Sequence, residues 1–230
     1  MFSRPFDDFA SQRNWALRNL PFGSDWLLVV DADEIVPPAL AVEIQALRPE
    51  EDDEIAAYEL RFRVYFEGVW IRRSSLYPTW ITRLFKHKLV EYEPREVNAH
   101  PRVEGKVGRL WNDLVHWNKK TIGDYIAKHN QYTTFEAREY LKDRLSGRGI
   151  SPRRLLWGSS AERRREMKCL AIRLPARPLL KFLYAFVVRG GVLDGKAGFH
   201  YCLLLGINEF FVSLKLRELC REGEELRKSQ

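Results

Sequence analysis

A chain of 230 residues, 45% apolar and 13% aromatic, is long and apolar enough to bury a core, which excludes a disordered chain. Its net charge of +7 is local: between Ser151 and Arg177, eight basic residues face two acids and supply +6 of it. Three scattered cysteines, Cys169, Cys202 and Cys220, have neither an even framework nor metal-ligand spacing, which excludes a disulfide scaffold and suits a reducing compartment.

In chain order, the first predicted element is a helix over 8–20, capped by Asp7 or Asp8, with Phe9, Ala16, Leu17 and Leu20 apolar. "PFGSD" breaks it. "WLLVV", Trp26 to Val30, is a short continuous apolar run between turn residues and predicts a strand buried on both faces. "PPALAVEIQAL" predicts a helix with Pro37 and Pro38 near its start, and the acidic run "PEEDDE" ends it in solvent. "YELRFRVYFEGVW" alternates, with Leu60, Phe62, Val64 and Phe66 on one face and Arg61, Arg63, Tyr65 and Glu67 on the other. This predicts a half-buried strand. "WITRLFKH", Trp80 to His87, predicts another. After a loop-and-strand region to about Asn118, the stretch from Thr121 predicts a long helix. Thr121 and Asp124 form its capping box, and Gly147 marks its stop.

The composition changes after Gly149, so the expected organisation is an α/β domain over 1–149 and a basic, amphipathic helical tail over 150–230. "PLLKFLYAFVV" is too short for a bilayer, which needs about 20 apolar residues. "GFHYCLLLGINEFFVSLKLREL" approaches that length but contains His200, Asn208 and Glu209. With the polybasic lead-in, the pattern predicts two amphipathic or hairpin helices against an anionic membrane surface; two core helices packing on the front domain are the other reading. The opening "MFSRPFDDFASQRNW" has no apolar leader run, so the cytoplasmic side is the default expectation.

The chemistry-bearing feature is "DADE" directly after the apolar strand. Alternate residues share a face, so Asp31 and Asp33 can point to one spot past the strand's carboxyl end, where open α/β sheets hold ligands. Two hard oxygen donors at that spacing suit Mg²⁺ or Mn²⁺, with positions left for phosphate oxygens. A haloacid-dehalogenase-type phosphotransferase would follow its first Asp with Gly-Thr, and "DADEIV" has neither. A nucleic-acid binder would interleave aromatic and basic residues around "ERRREMK", and none are interleaved, so no nucleic-acid partner is expected.

The ordered string "FASQRNWALRNLPFGSDWLLVVDADEIV", "RLFKH", "VEGKVGRL", the helix residues His129, Asn130, Tyr132, Glu136 and Ala137, and the tail "LYAFVVRGGVLDGKAGFHYCLLL" resembles bacterial family 2 glycosyltransferases, in particular their lipopolysaccharide-core glucosyltransferase-like branch. The resemblance spans almost the whole chain. It implies the C-terminal part of a GT-A (Rossmann-like) glycosyltransferase domain with a mixed sheet, followed by a helical tail. It further implies transfer of a sugar from a nucleotide donor, a UDP-sugar first, to a lipopolysaccharide, exopolysaccharide or other glycolipid acceptor at the cytoplasmic face of the inner membrane. Asp31 and Asp33 take the metal and diphosphate role, and Arg13 and Asn14 match the family's pair beside the nucleotide. The family's first half, with its early nucleotide-binding strands, does not precede Met1. Its expected acid is Ala99 here, which leaves His100 or Glu96 as candidate bases for the acceptor hydroxyl. A truncated or degenerate non-catalytic homologue that binds the membrane is the second reading of these two departures.

Overall fold

The computed structural model describes residues 2–5, 7–48, 54–93, 100–117, 121–145, 151–157, 163, 167 and 176–228. They fall into two units, Met1–Lys119 with Gly190–Gly198, and Lys120–Arg189 with Phe199–Gln230.

In the first unit, helix α1 (Phe9–Asn19) starts at Asp8. The Asp8 carboxylate accepts from the Ser11 N–H at 2.8 Å and from the Ser11 hydroxyl at 2.6 Å, satisfying an N–H that the helix cannot bond internally. Strands β1 (Trp26–Leu28) and β2 (Glu34–Ile35) follow. Helix α2 (Pro38–Gln45) has Pro38 in its first turn, where the missing N–H costs nothing. Strands β3 (Ile55–Phe66) and β4 (Val69–Trp70) form a hairpin through Glu67 (φ 51°) and Gly68 (φ 74°). Both are left-handed, as the mirror-image turn between right-twisted strands requires. Strand β5 (Thr79–Lys86), the hairpin of β6 (Val90–Tyr92) and β7 (Pro101–Val103), and strand β8 (Lys106–Trp117) complete it.

The main sheet runs β1-β5-β3-β8-β2, with β4 on β3; only β3 and β8 are parallel among these neighbours. Its two edges, β1 and β2, are consecutive in sequence, joined by residues 29–33. Five strands laid flat would set the edges about 19 Å apart. The link could reach about 20 Å only if fully extended, yet it turns at Ala32 and Asp33. The sheet therefore curls to bring its edges together, and the acidic residues lie in the closing link.

Both sheet faces are covered. On one, Leu40 of α2 packs with Tyr58, Leu60, Leu84, Leu110 and Leu114. On the other, Ala10 of α1 packs with Ala57, Phe85, Val90 and Tyr92. Adjacent residues such as Ala57 and Tyr58 go to opposite faces because strand side chains alternate. Each fully buried Leu or Phe contributes about 1.5–3 kcal/mol.

The "WLLVV" run has apolar cover on both faces, as expected, but it is half-buried rather than buried: among the described residues β1 pairs only with β5, at the sheet edge, and Val30 is exposed. The run is continuously apolar because Trp26 and Leu28 reach the α2 side while Leu27 and Val29 reach the α1 side. Apolar cover on two faces does not require a neighbour on both edges. Also within this unit, the Asp194 carboxylate accepts the N–H groups of Arg72, Arg73 and Ser74 and the Ser74 hydroxyl at 2.8–3.2 Å.

The second unit is helical. Helix α3 (Ile122–Leu145) opens with the predicted capping box: Thr121 N–H donates to Asp124 at 3.1 Å and Asp124 N–H donates to the Thr121 hydroxyl at 3.2 Å. Helices α4 (Pro152–Trp157), α5 (Arg177–Leu183) and α6 (Gly195–Lys228) follow, so both apolar runs of the tail form helices. Ala137 of α3 packs with Val212 and Leu216 of α6. Gly206 admits α5 closely, since a Cβ there would lie 3.0 Å from the Pro178 carbonyl oxygen. Burial, then the charge of Lys128, lowers the His129 imidazole to about 4, and its Nδ1 lies 2.9 Å from the Asn208 amide nitrogen. Leu179, Leu180 and Leu183 of α5 and Phe210, Phe211 and Leu214 of α6 are exposed. Among the described residues one helical stretch, Gly191–Gly223, is long and apolar enough to cross a membrane by length and composition. Gly147, Cys169 and most of the polybasic segment lie outside the described residues.

Candidate functional site

Asp31 sits in the link that closes the sheet, and each of its two oxygens is held by a different arginine. Arg13 of α1 donates to Oδ1 at 2.8 Å, and Arg83 of β5 donates to Oδ2 at 2.8 Å. Arg83 also donates to Oε1 of Glu34. Glu34 Oε2 accepts the Asp31 N–H at 2.9 Å, and the Asp31 carbonyl accepts the Glu34 N–H at 2.9 Å. The link is thus pinned to itself, to a helix and to a strand. Two carboxylates and two guanidinium groups meet here, with exposure graded from 1% for the Glu34 side chain through 12% and 22% for Arg83 and Arg13 to 41% for Asp31. Asp31 is the member that solvent reaches.

The local fold explains why Arg83 arrives there. Pairing between β3 and β5 steps from Tyr58–Leu84 to Glu59–Thr82, so Arg83 is the extra residue of a β-bulge. A bulge kinks a strand and re-aims the side chain it carries. Arg13 comes from the buried side of α1, one turn after Ala10, and its guanidinium lies over the Tyr92 ring, 5.2 Å from the centroid. The Tyr92 hydroxyl and the Arg83 Nε are buried and have no hydrogen-bond partner among the described residues.

The electrostatics follow. Burial raises the Asp31 carboxyl, but the charges of Arg83 and then Arg13 outweigh it and hold the group below the usual carboxylate range. Burial dominates at Glu34 and pushes it up despite the Asp31 N–H bond and Arg83. Burial also works against the Arg83 cation, and Glu34 and Asp31 more than restore it.

The structure brings together two of the residues singled out from sequence, Arg13 and Asp31. Asn14, one position on, does other work: its amide donates to the Tyr92 carbonyl at 2.9 Å and accepts the Tyr92 N–H at 2.8 Å, tying α1 to β6. Asp33 turns to the opposite sheet edge, where its Oδ2 lies 3.4 Å from Nε2 of His116 on β8. Asp31 and Asp33 thus engage different partners. His100 is exposed, and its carbonyl accepts the Glu93 N–H at 3.1 Å at the end of the β6–β7 hairpin. Glu96 and Ala99 lie outside the described residues. Sequence reasoning left Arg83, Tyr92 and His116 out of the site. Only "RLFKH" flagged the first, and nothing local marks the other two.

Among the described residues no three His, Cys, Asp or Glu side chains converge as a ready metal-ligand set. Mg²⁺ is commonly held by one or two carboxylates with phosphate oxygens and water. The exposed, hard Asp31 oxygens fit that chemistry, but both are already paired with protein cations.

No protein-family model matches the chain. It is similar to an uncharacterized glycosyltransferase of Rickettsia prowazekii (strain Madrid E), with 23% identity over 214 residues. The match takes in 88% of this chain and 65% of that protein, so the chain spans less than two thirds of the relative's length.

Proposed function

We propose that this chain is a glycosyltransferase, or the part of one, that moves a sugar from a nucleotide donor to a glycolipid or polysaccharide acceptor. The observation that carries the reading is the arrangement at Asp31: a partly exposed carboxylate at a strand end, flanked by two arginines suited to phosphate oxygens. The similarity to a glycosyltransferase along most of the chain supports the same class.

In finer terms the reading is a GT-A-type enzyme of the family 2 kind acting on a UDP-sugar, with the lipopolysaccharide-core branch as its nearest parallel. Asp31 would hold Mg²⁺ or Mn²⁺. The cation would neutralise charge on the departing diphosphate. Arg13 and Arg83 would pair with the diphosphate oxygens, and His100 or Glu96 would serve the acceptor hydroxyl. The exposed leucines of α5 and phenylalanines of α6, with the basic residues that precede them in sequence, would rest on an anionic membrane at its cytoplasmic face.

The test is release of nucleoside diphosphate from a panel of nucleotide sugars, UDP-glucose first, with Mn²⁺ and a membrane lipid extract as acceptor. Release and sugar incorporation above background, both reduced at least tenfold in Asp31→Asn, are expected. Absence of both with every donor defeats the reading and favours the non-catalytic homologue.

A further inference from the structure

We propose that Arg13 and Arg83 are exchangeable counter-ions for Asp31, so that this site takes a divalent cation and a diphosphate together and binds either one alone poorly. The inference rests on the nucleotide-sugar reading and says how that site fills.

The argument is one of charge balance in a site that solvent reaches from one side. Asp31 and Glu34 face Arg13 and Arg83, two negative groups against two positive ones, and both Asp31 oxygens are bonded. A divalent ion approaching Asp31 meets a carboxylate already neutralised. To draw on the carboxylate's charge it must compete with both guanidinium groups, and weakening their ion pairs while they stay partly buried is costly. A diphosphate alone meets the mirror-image obstacle, because each arginine it takes is taken from Asp31. The sugar-diphosphate group of a nucleotide sugar carries two negative charges and the metal two positive ones. Arriving together, they leave the site as neutral as they found it: Asp31 passes to the metal and the arginines pass to the phosphates.

The site has donors to spare for this exchange. The Arg83 Nε and the Tyr92 hydroxyl are buried and unpartnered among the described residues, and Tyr92, 2% exposed, lies beside Arg13. Neither atom would have to give up a bond to receive a ligand's oxygen. Arg83 is also held in a β-bulge, where a strand can shift locally while the pairing on either side is kept. Arg83 reaches both acids through one nitrogen, Nη2, so Glu34, its side chain 1% exposed, keeps that nitrogen bonded when Asp31 lets go.

The experiment is calorimetric titration of Mn²⁺ into the full chain, alone and with saturating UDP or inorganic pyrophosphate. In the wild type, Mn²⁺ affinity is expected to rise at least tenfold with the diphosphate, and by linkage diphosphate affinity rises by the same factor with Mn²⁺. Arg83→Gln removes the resident cation, so this variant is expected to bind Mn²⁺ alone at least tenfold more tightly than the wild type, with most of the coupling gone. Arg13→Gln, a change on the helix rather than in the sheet, is expected to move the same way by a smaller factor, and it serves if the β5 variant does not fold. Equal Mn²⁺ affinity with and without the diphosphate overturns the proposal, as does an Arg83→Gln or Arg13→Gln protein that binds Mn²⁺ no better than the wild type. Coupled binding of pyrophosphate without turnover of any nucleotide sugar would sink the transferase reading and leave this one standing. Turnover with uncoupled titrations would do the reverse.

Discussion

Two aspartates in the first unit are each clasped by a pair of arginines, and the contrast between them separates architecture from function. Asp113, in the middle of β8, forms an ion pair with Arg61 at 3.1 Å and accepts from Arg63 and from the Tyr77 hydroxyl at 2.8 Å; its side chain is 4% exposed. Both arginines come from one neighbouring strand, β3, just past a register shift between Glu59 and Arg61. Asp31 has the same two-arginine clasp, but it sits in a link rather than a strand, takes its partners from a helix and a bulge, and is 41% exposed. A clasp closed to solvent has little room for exchange. A clasp that is open to solvent and assembled from separate elements can exchange its partners.

The largest effect should come from the closed clasp. Asp113→Ala leaves two arginines facing each other in a largely buried setting, and breaking one partner of a buried ionic network typically costs about 3–5 kcal/mol. For a chain of this size that corresponds to a fall in melting temperature of roughly 10 °C. A loss under about 1 kcal/mol by thermal or urea melting would mean that the two sites differ less than their exposure indicates.

Asp31→Asn sharpens the contrast from the other side. The pair is partly solvated, so its contribution to stability should stay within about 1 kcal/mol, while Mn²⁺–UDP affinity falls at least tenfold. If the melting point drops as far as in Asp113→Ala, Asp31 is holding the fold.

The smallest effect is in the pH dependence. Asp31 is held below its ordinary range, so its contribution is complete above the unfolded carboxylate value near 4 and is lost as pH falls through the lower folded value. Glu34 is raised, so it works in the opposite direction: the folded state gains as pH falls through its folded value. Urea melts between pH 3 and 6 should show Asp31→Asn flattening the acid limb and Glu34→Gln steepening it. A steeper limb in Asp31→Asn would reverse the assignment of signs.

Much of the fold was legible because it is written locally. Asp8 as a cap, Pro38 at a helix start, the alternation along Leu60 to Phe66 and the Thr121–Asp124 box each signal through neighbours a few residues away. What escaped depends on pairings far apart in the chain. Arg83 reaches Asp31 across 52 positions, and Arg63 reaches Asp113 across 50, so the polar face of β3, read as facing away from the core, is half of a buried clasp. The bulge that delivers Arg83 is a mismatch of register between two strands, and neither strand carries it alone. The acid and one of its arginines, Arg13, were found, and the other, Arg83, was not.

The closing link has a bearing on solubility. A sheet's outer strands are its sticky margin, a row of unpaired amides on which another chain can polymerise. Here those margins are three residues and two residues long, and the curl draws them towards one another instead of leaving them splayed as a flat template. The segment that carries Asp31 is therefore also the segment that draws the two short margins together. Lengthening or loosening residues 29–33 would put both properties at risk together.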